Sequence, residues 1–267
     1  RWPAWAGSSS SAFFLRRAVF SANVENAPLV DSMSSPGKVD NCIGCSRHSR
    51  HEVHVLPEMA IPQRYDPPML EQRIEQQFID SADLKYQAAQ MLCKPMAAAI
   101  QSLWVCVTGG GKVLACGNGG SGALAQCFAA TFVGRHERDR PELAAMALNS
   151  DAVWLTAGSQ QYGLDQVFAK QVRALGLPGD VLLVVSVHGE SENVLQAIHA
   201  AHERDLTVVA LTGQSGGKIR SLLRETDVHI GVPSDKPARI LEVQLLVLHG
   251  LCDGVDSQLL GEQEISE

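Results

Sequence analysis

From residue 69 onward, apolar and polar positions alternate between two periods. The stretch "MLEQRIEQQFIDSADLKYQAAQML" places Leu70, Ile74, Phe78 and Ile79 at helical spacing. This pattern predicts helices over about 70–92 and 95–107. Short, nearly continuous apolar runs follow: "KVLACGN", "LAAMALN" (143–149), "DVLLVVSV" (180–187), "TVVALTG" (207–213) and "VHIGVP" (228–233). Helical patterns lie between them, over 121–133, 164–175, 191–204 and 237–258. Strands that are apolar on both sides and alternate with helices predict a parallel sheet covered on both faces. The expected fold is therefore α/β. In such sheets ligands bind outside the carboxyl ends of the strands. Two polar loops, "GNGGSG" and "SVHGES", fall at that edge.

Residues 1–68 read differently. Clusters such as "GSSSS" and "SMSSPGK" carry neither period, and the chain begins at Arg1 while Met69 opens the first periodic helix. The expectation is a disordered or non-native extension over 1–68, a folded domain over 69–267 and a natural start at Met69. Mass spectrometry of the N-terminus in the native host tests this. Within the extension, "CIGCSRHSRHEVH" brings together Cys42, Cys45, His48, His51 and His54. These residue types bind zinc, but the spacing is tighter than a finger needs between its ligand pairs. A sequence without a metal role is the preferred reading.

Composition narrows the function. A hydrophobic fraction of 45% suffices for a sizeable core, and the net charge of −7 argues against a generic nucleic-acid binder. No unbroken apolar run of membrane-spanning length stands out, so neither nucleic acid nor membrane is an expected partner. There are seven cysteines. Cys93, Cys106, Cys116 and Cys252 lie in apolar stretches and read as buried hydrophobes in a reducing compartment, the cytoplasm.

The candidate chemistry starts at "CGNGGSG", where Gly117, Gly119, Gly120 and Gly122 permit close backbone approach and positive φ. Ser121 then stands at a helix start, where free amides and the helix dipole favour phosphate. "SVHGESENV" repeats this grammar, with Ser186 at a strand end and Ser191 at a helix mouth. A tight turn with a serine cap explains one such loop. Two at the same sheet edge make a phosphosugar cradle of Asn118, Gly119, Gly120, Ser121, Ser186 and Ser191.

"CGNGGS", "GDVLLVVS", "AHERDLTVVALTGQSGGKI" and "ARILEVQLLVLHGLCDGVD" resemble the sugar isomerase (SIS) domain of the phosphoheptose isomerases and of the DnaA initiator-associating proteins. The resemblance spans about residues 69–260. It implies a three-layer, flavodoxin-like fold with a five-stranded parallel sheet between helices. It also implies N-terminal helices for oligomer packing, and a homotetramer whose sites lie between subunits. A sugar phosphate is the implied ligand, zinc is bound in some members, and an initiator protein of the DnaA type is the partner in one branch.

The family's isomerases carry a glutamate base and a zinc-binding His in a helix resembling "HFAEELTGR"; here that helix reads "CFAATFVGR". Thr131 stands at the glutamate position and Cys127 at the His. His249 occupies the family's catalytic His position, while Leu241 replaces a glutamine that helps hold metal and substrate. Val187 and His188 replace hydroxyl donors, Glu190 adds a charge where phosphate approaches, and Gln160 and Gln161 alter a sugar-contacting loop. Threonine cannot act as a carboxylate base near neutral pH. The sequence therefore favours a non-catalytic, regulatory phosphosugar-binding protein. An active sedoheptulose 7-phosphate isomerase using His249 is the alternative.

Overall fold

The structure, a computed structural model, describes residues 67–261. The extension up to residue 66, with its Cys42–His54 cluster, and the tail beyond 261 lie outside the described residues.

Five strands, β1 (Val113–Gly117), β2 (Ala145–Ala147), β3 (Val181–Val185), β4 (Thr207–Gly213) and β5 (Val228–Val232), pair in parallel in the order β2-β1-β3-β4-β5. This is the flavodoxin-like order, as expected. Seven helices accompany them among the described residues: α1 (Pro67–Thr108), α2 (Gly119–Val133), α3 (Ala152–Tyr162), α4 (Val167–Leu175), α5 (Glu192–Glu203), α6 (Gly217–Leu222) and α7 (Pro237–Leu260).

The period of two along each strand sorts its side chains between two cores. Val113, Ala115, Val181, Leu183, Val185, Val209 and Leu211 face a layer that includes Leu103 of α1, Phe128 and Phe132 of α2, and Leu251 of α7. Their neighbours Leu114, Cys116, Leu182, Val184, Val208 and Ala210 face Phe168 and Val172 of α4, Val194 and Ile198 of α5, and Ile219 of α6. All five residues of β1 and of β3 are buried, which is why those runs lack a polar face. Each fully buried Phe or Leu contributes about 1.5–3 kcal/mol of transfer free energy.

Several expectations need correction. The first two helices are one, because α1 continues through Pro95. Loss of a single backbone donor is outweighed by the packing of Leu84, Ala88, Leu92, Ala99 and Leu103. Gln160 and Gln161 are not in a loop; they sit in the last turns of α3, which Asp151 caps by accepting from Trp154 N at 2.9 Å. Helix 164–175 begins with a 3-10 turn, Leu164–Gln166. Cys93 is exposed, unlike Cys106, Cys116 and Cys252.

By length and composition alone α1 could cross a membrane, its most apolar window having a mean hydropathy of 1.3. One face of it packs along α7 and the sheet. The other face leaves Met69, Leu70, Ile74 and Phe78 exposed, Phe78 by 75%.

Candidate functional site

Strand β1 leads outward to β2 on one side, and β3 to β4 on the other. The sheet therefore has its topological switch point between β1 and β3. At the carboxyl ends of these two strands lies a cleft of about 220 Å³, lined by Asn118, Ser121, Ser186, His188, Ser191 and Pro237 among others. The structure thus brings together the serines of both polar loops.

Each loop has its own local logic. At the mouth of α2, Gly119 adopts φ +53° and faces open space, so a side chain there would be strained but not obstructed. Gly117 serves packing instead: a Cβ there would stand 2.8 Å from Val185 O. Asn118 is the N-cap of α2, yet its side chain makes no capping bond. Its amide is engaged with Asn193 in the first turn of α5, each donating to the other at 2.8 Å. At the mouth of α5, Ser186 is buried and its Oγ accepts from Gly189 N at 3.0 Å. Beneath it Gln244, fully buried on α7, donates to Ser186 O at 3.3 Å, and its own Oε1 has no partner. Ser191 caps α5 with a hydroxyl that makes no capping bond. Free first-turn amides from two helices, with these hydroxyls, suit a phosphate group.

Glu190, whose charge was expected to oppose phosphate, has a counter-charge beside it. Its Oε1 accepts from Lys218 N at 3.1 Å, and its Oε2 pairs with Lys218 Nζ at 3.3 Å. The carboxylate is thus bound to the start of α6.

The acid–base candidates are arranged differently. Neither Thr131, Cys127 nor His249 lines the cleft. His249 lies five residues beyond Gln244 on α7, about 140° around the helix from it. The imidazole of His136, just after α2, lies beside it, with ring centroids 5.4 Å apart. Thr131 is half-buried, and its carbonyl accepts from Arg140 Nη2 at 3.3 Å. Cys127 is exposed rather than packed into a core. Leu241 lies over the glycine loop, and a Cβ on Gly120 would be 3.1 Å from its Cδ1. Glu242 is held on α1 and its own helix: Ser81 Oγ donates to it at 2.7 Å and Arg239 pairs with it at 3.0 Å.

The residues at the family's zinc positions do not assemble a complete metal site. Cys127 and His249 carry donor atoms, but Leu241 offers none, and among the described residues no three His, Cys, Asp or Glu side chains gather to hold an ion.

Sequence reasoning missed Asn193, Gln244, His136 and the partnership of Lys218 with Glu190. A polar residue at a core-facing helix position was the available signal for Asn193 and Gln244. The other two depend on contacts between distant segments.

The comparisons agree with this architecture. The SIS domain family matches residues 77–213. A phosphoheptose isomerase of Methylibium petroleiphilum is 59% identical over 198 residues, covering 74% of this chain and 99% of the relative. The solved structure of phosphoheptose isomerase GmhA from Neisseria gonorrhoeae is 48% identical, with a TM-score of 0.67 over 70% of this chain and 99% of that one. A phosphoheptose isomerase from Francisella tularensis is 42% identical, with a TM-score of 0.68 over 70% of this chain and 97% of that one. The chain belongs to the SIS-domain family of phosphoheptose isomerases.

Proposed function

We propose that this chain is a sugar-phosphate isomerase of the phosphoheptose type, with sedoheptulose 7-phosphate as substrate. The observation that carries the reading is the meeting of Ser121, Ser186 and Ser191 in one cleft at two helix mouths. The relatives' names favour it over the non-catalytic regulator that the sequence suggested.

Ketose-to-aldose conversion removes a proton from C1, passes through an enediol and returns a proton to C2, while the hydroxyl proton moves between the two oxygens. Phosphate held by the α2 and α5 amides anchors one end of the sugar and orients the other. With threonine at position 131, proton transfer falls to His249, with His136 as the neighbouring imidazole. His249 lies outside the cleft of its own chain. This supports a homotetramer in which a second copy completes the site, and the exposed apolar face of α1 offers packing surface for it. The same reading takes residues 69–267 as the working unit, in the cytoplasm. Turnover of sedoheptulose 7-phosphate by the full chain, and its loss in His249→Ala, tests the proposal.

A second reading, phosphosugar binding without turnover, rests on Thr131 and Leu241 standing where the family has a carboxylate and an amide. A regulator with an initiator protein of the DnaA type as partner belongs to this reading. Saturable binding without turnover distinguishes it.

A further inference from the structure

We propose that Asn193 is a positioning residue for the anion cradle, acting through Asn118 to fix the gap between the two helix mouths. This rests on the sugar-phosphate reading of the cleft.

Asn118 follows β1 and caps α2, whereas Asn193 sits in the first turn of α5, 75 residues later. Their amides close a ring of two hydrogen bonds, both 2.8 Å long. The ring bridges the switch point between β1 and β3, and so joins the two elements that present amides to the cleft. A closed amide pair constrains orientation as well as distance, because each planar group donates and accepts at once. It uses one N–H and one lone pair of each side chain. Asn118, exposed at the cleft, retains a second N–H that the ring holds in a set direction.

The cost of breaking the ring falls unevenly. Asn193 is 5% exposed, so its removal withdraws a buried partner that water cannot readily replace. The first-turn contacts of Ser191 and Ser186 do not depend on it: Val194 N and Leu195 N bond to Ser191 O, and Gly189 N bonds to Ser186 Oγ. The α5 mouth therefore keeps its internal form without Asn193, and what is lost is its registration against α2. A phosphate that takes amides from both helices at once feels that loss directly.

The experiment is calorimetric titration of the full chain with sedoheptulose 7-phosphate and with inorganic phosphate, alongside thermal unfolding. The variants are Asn193→Ala and the isosteric Asn193→Asp, which can still accept from Asn118 but cannot donate to it. Asn193→Ala is expected to weaken sugar-phosphate binding by about tenfold or more. In combination with Asn118→Ala, the two losses are expected to be less than additive, because either substitution opens the same ring. Should Asn193→Ala not fold, Asn193→Asp is held to the same tenfold criterion. Wild-type binding with unchanged affinity in the folded variant overturns the proposal alone. Fully additive losses overturn it as well. A wild-type chain that binds neither ligand overturns the sugar-phosphate reading and this proposal with it.

Discussion

Leu241 of α7 covers Gly120 of the α2 mouth so closely that a methyl on the glycine would stand 3.1 Å from Leu241 Cδ1. An apolar side chain thus closes over the glycine loop, at the position where the resemblance places an amide. Restoring both family residues, in Thr131→Glu with Leu241→Gln, is expected to raise kcat for sedoheptulose 7-phosphate. A general base contributes roughly 10²-fold or more. Steady-state kinetics of the double variant checks this. An unchanged kcat with intact binding would show that the α2 position does not limit the reaction.

The buried ion pair of Arg140 and Asp256 joins the segment after α2 to the far end of α7, with side chains 0% and 2% exposed. Arg140 also donates to the carbonyls of Thr131, Gly134 and Pro141. Asp256→Ala strands a buried guanidinium and is expected to cost about 3–5 kcal/mol. Asp139→Ala, which breaks the exposed Arg135–Asp139 pair, is expected to cost less than about 1 kcal/mol. Denaturant titration of the two variants gives the comparison.

His229 supplies a predicted acid sensitivity. Burial, followed by the nearby Arg220, pushes its pKa below the ordinary 6.5, and its Nε2 lies 2.7 Å from Thr212 Oγ1. Below about pH 6.5 the unfolded chain binds a proton that the native state resists. The unfolded state then holds more protons, so stability falls as pH falls. His229→Gln is expected to flatten the decline in Tm between pH 7.5 and 5.5. Equal slopes for variant and wild type would contradict this assignment.

Thiol exposure divides the described cysteines. Burial pushes Cys106 up to about 11, and Cys116 and Cys252 up to about 12, from an ordinary 9.0. Their contribution to stability is present below about pH 9 and declines as pH rises towards the folded values. Cys93 and Cys127 are exposed. With a thiol reagent at pH 8, Cys127→Ser is expected to remove one fast-reacting group and Cys116→Ser none. Protection of Cys127 in the native protein would instead mark its face as covered by another copy.

Much of the fold was legible because parallel strands buried on both faces, such as "VLLVV", leave an unmistakable apolar run. The polar cleft was legible because two Gly- and Ser-bearing loops follow neighbouring strands at the carboxyl edge of the sheet. The continuity of α1 through Pro95 was not legible, since local propensity argues for a break there and tertiary packing overrides it. The partner of Glu190 was not legible, since Lys218 lies 28 residues away. Asn118 was read as part of the cradle, and its pairing with Asn193, which takes half of its bonding capacity, was not legible. Pairings between distant segments carry no local signature, and it is these pairings that set the geometry of the cleft.

The central claim is tested most directly by following conversion of sedoheptulose 7-phosphate to its aldose with the full chain and with His249→Ala. The account predicts turnover above background in the wild type and its loss in the variant, with sugar-phosphate binding retained by both. Tight binding without any turnover in the wild type, or turnover unaffected by His249→Ala, would contradict it.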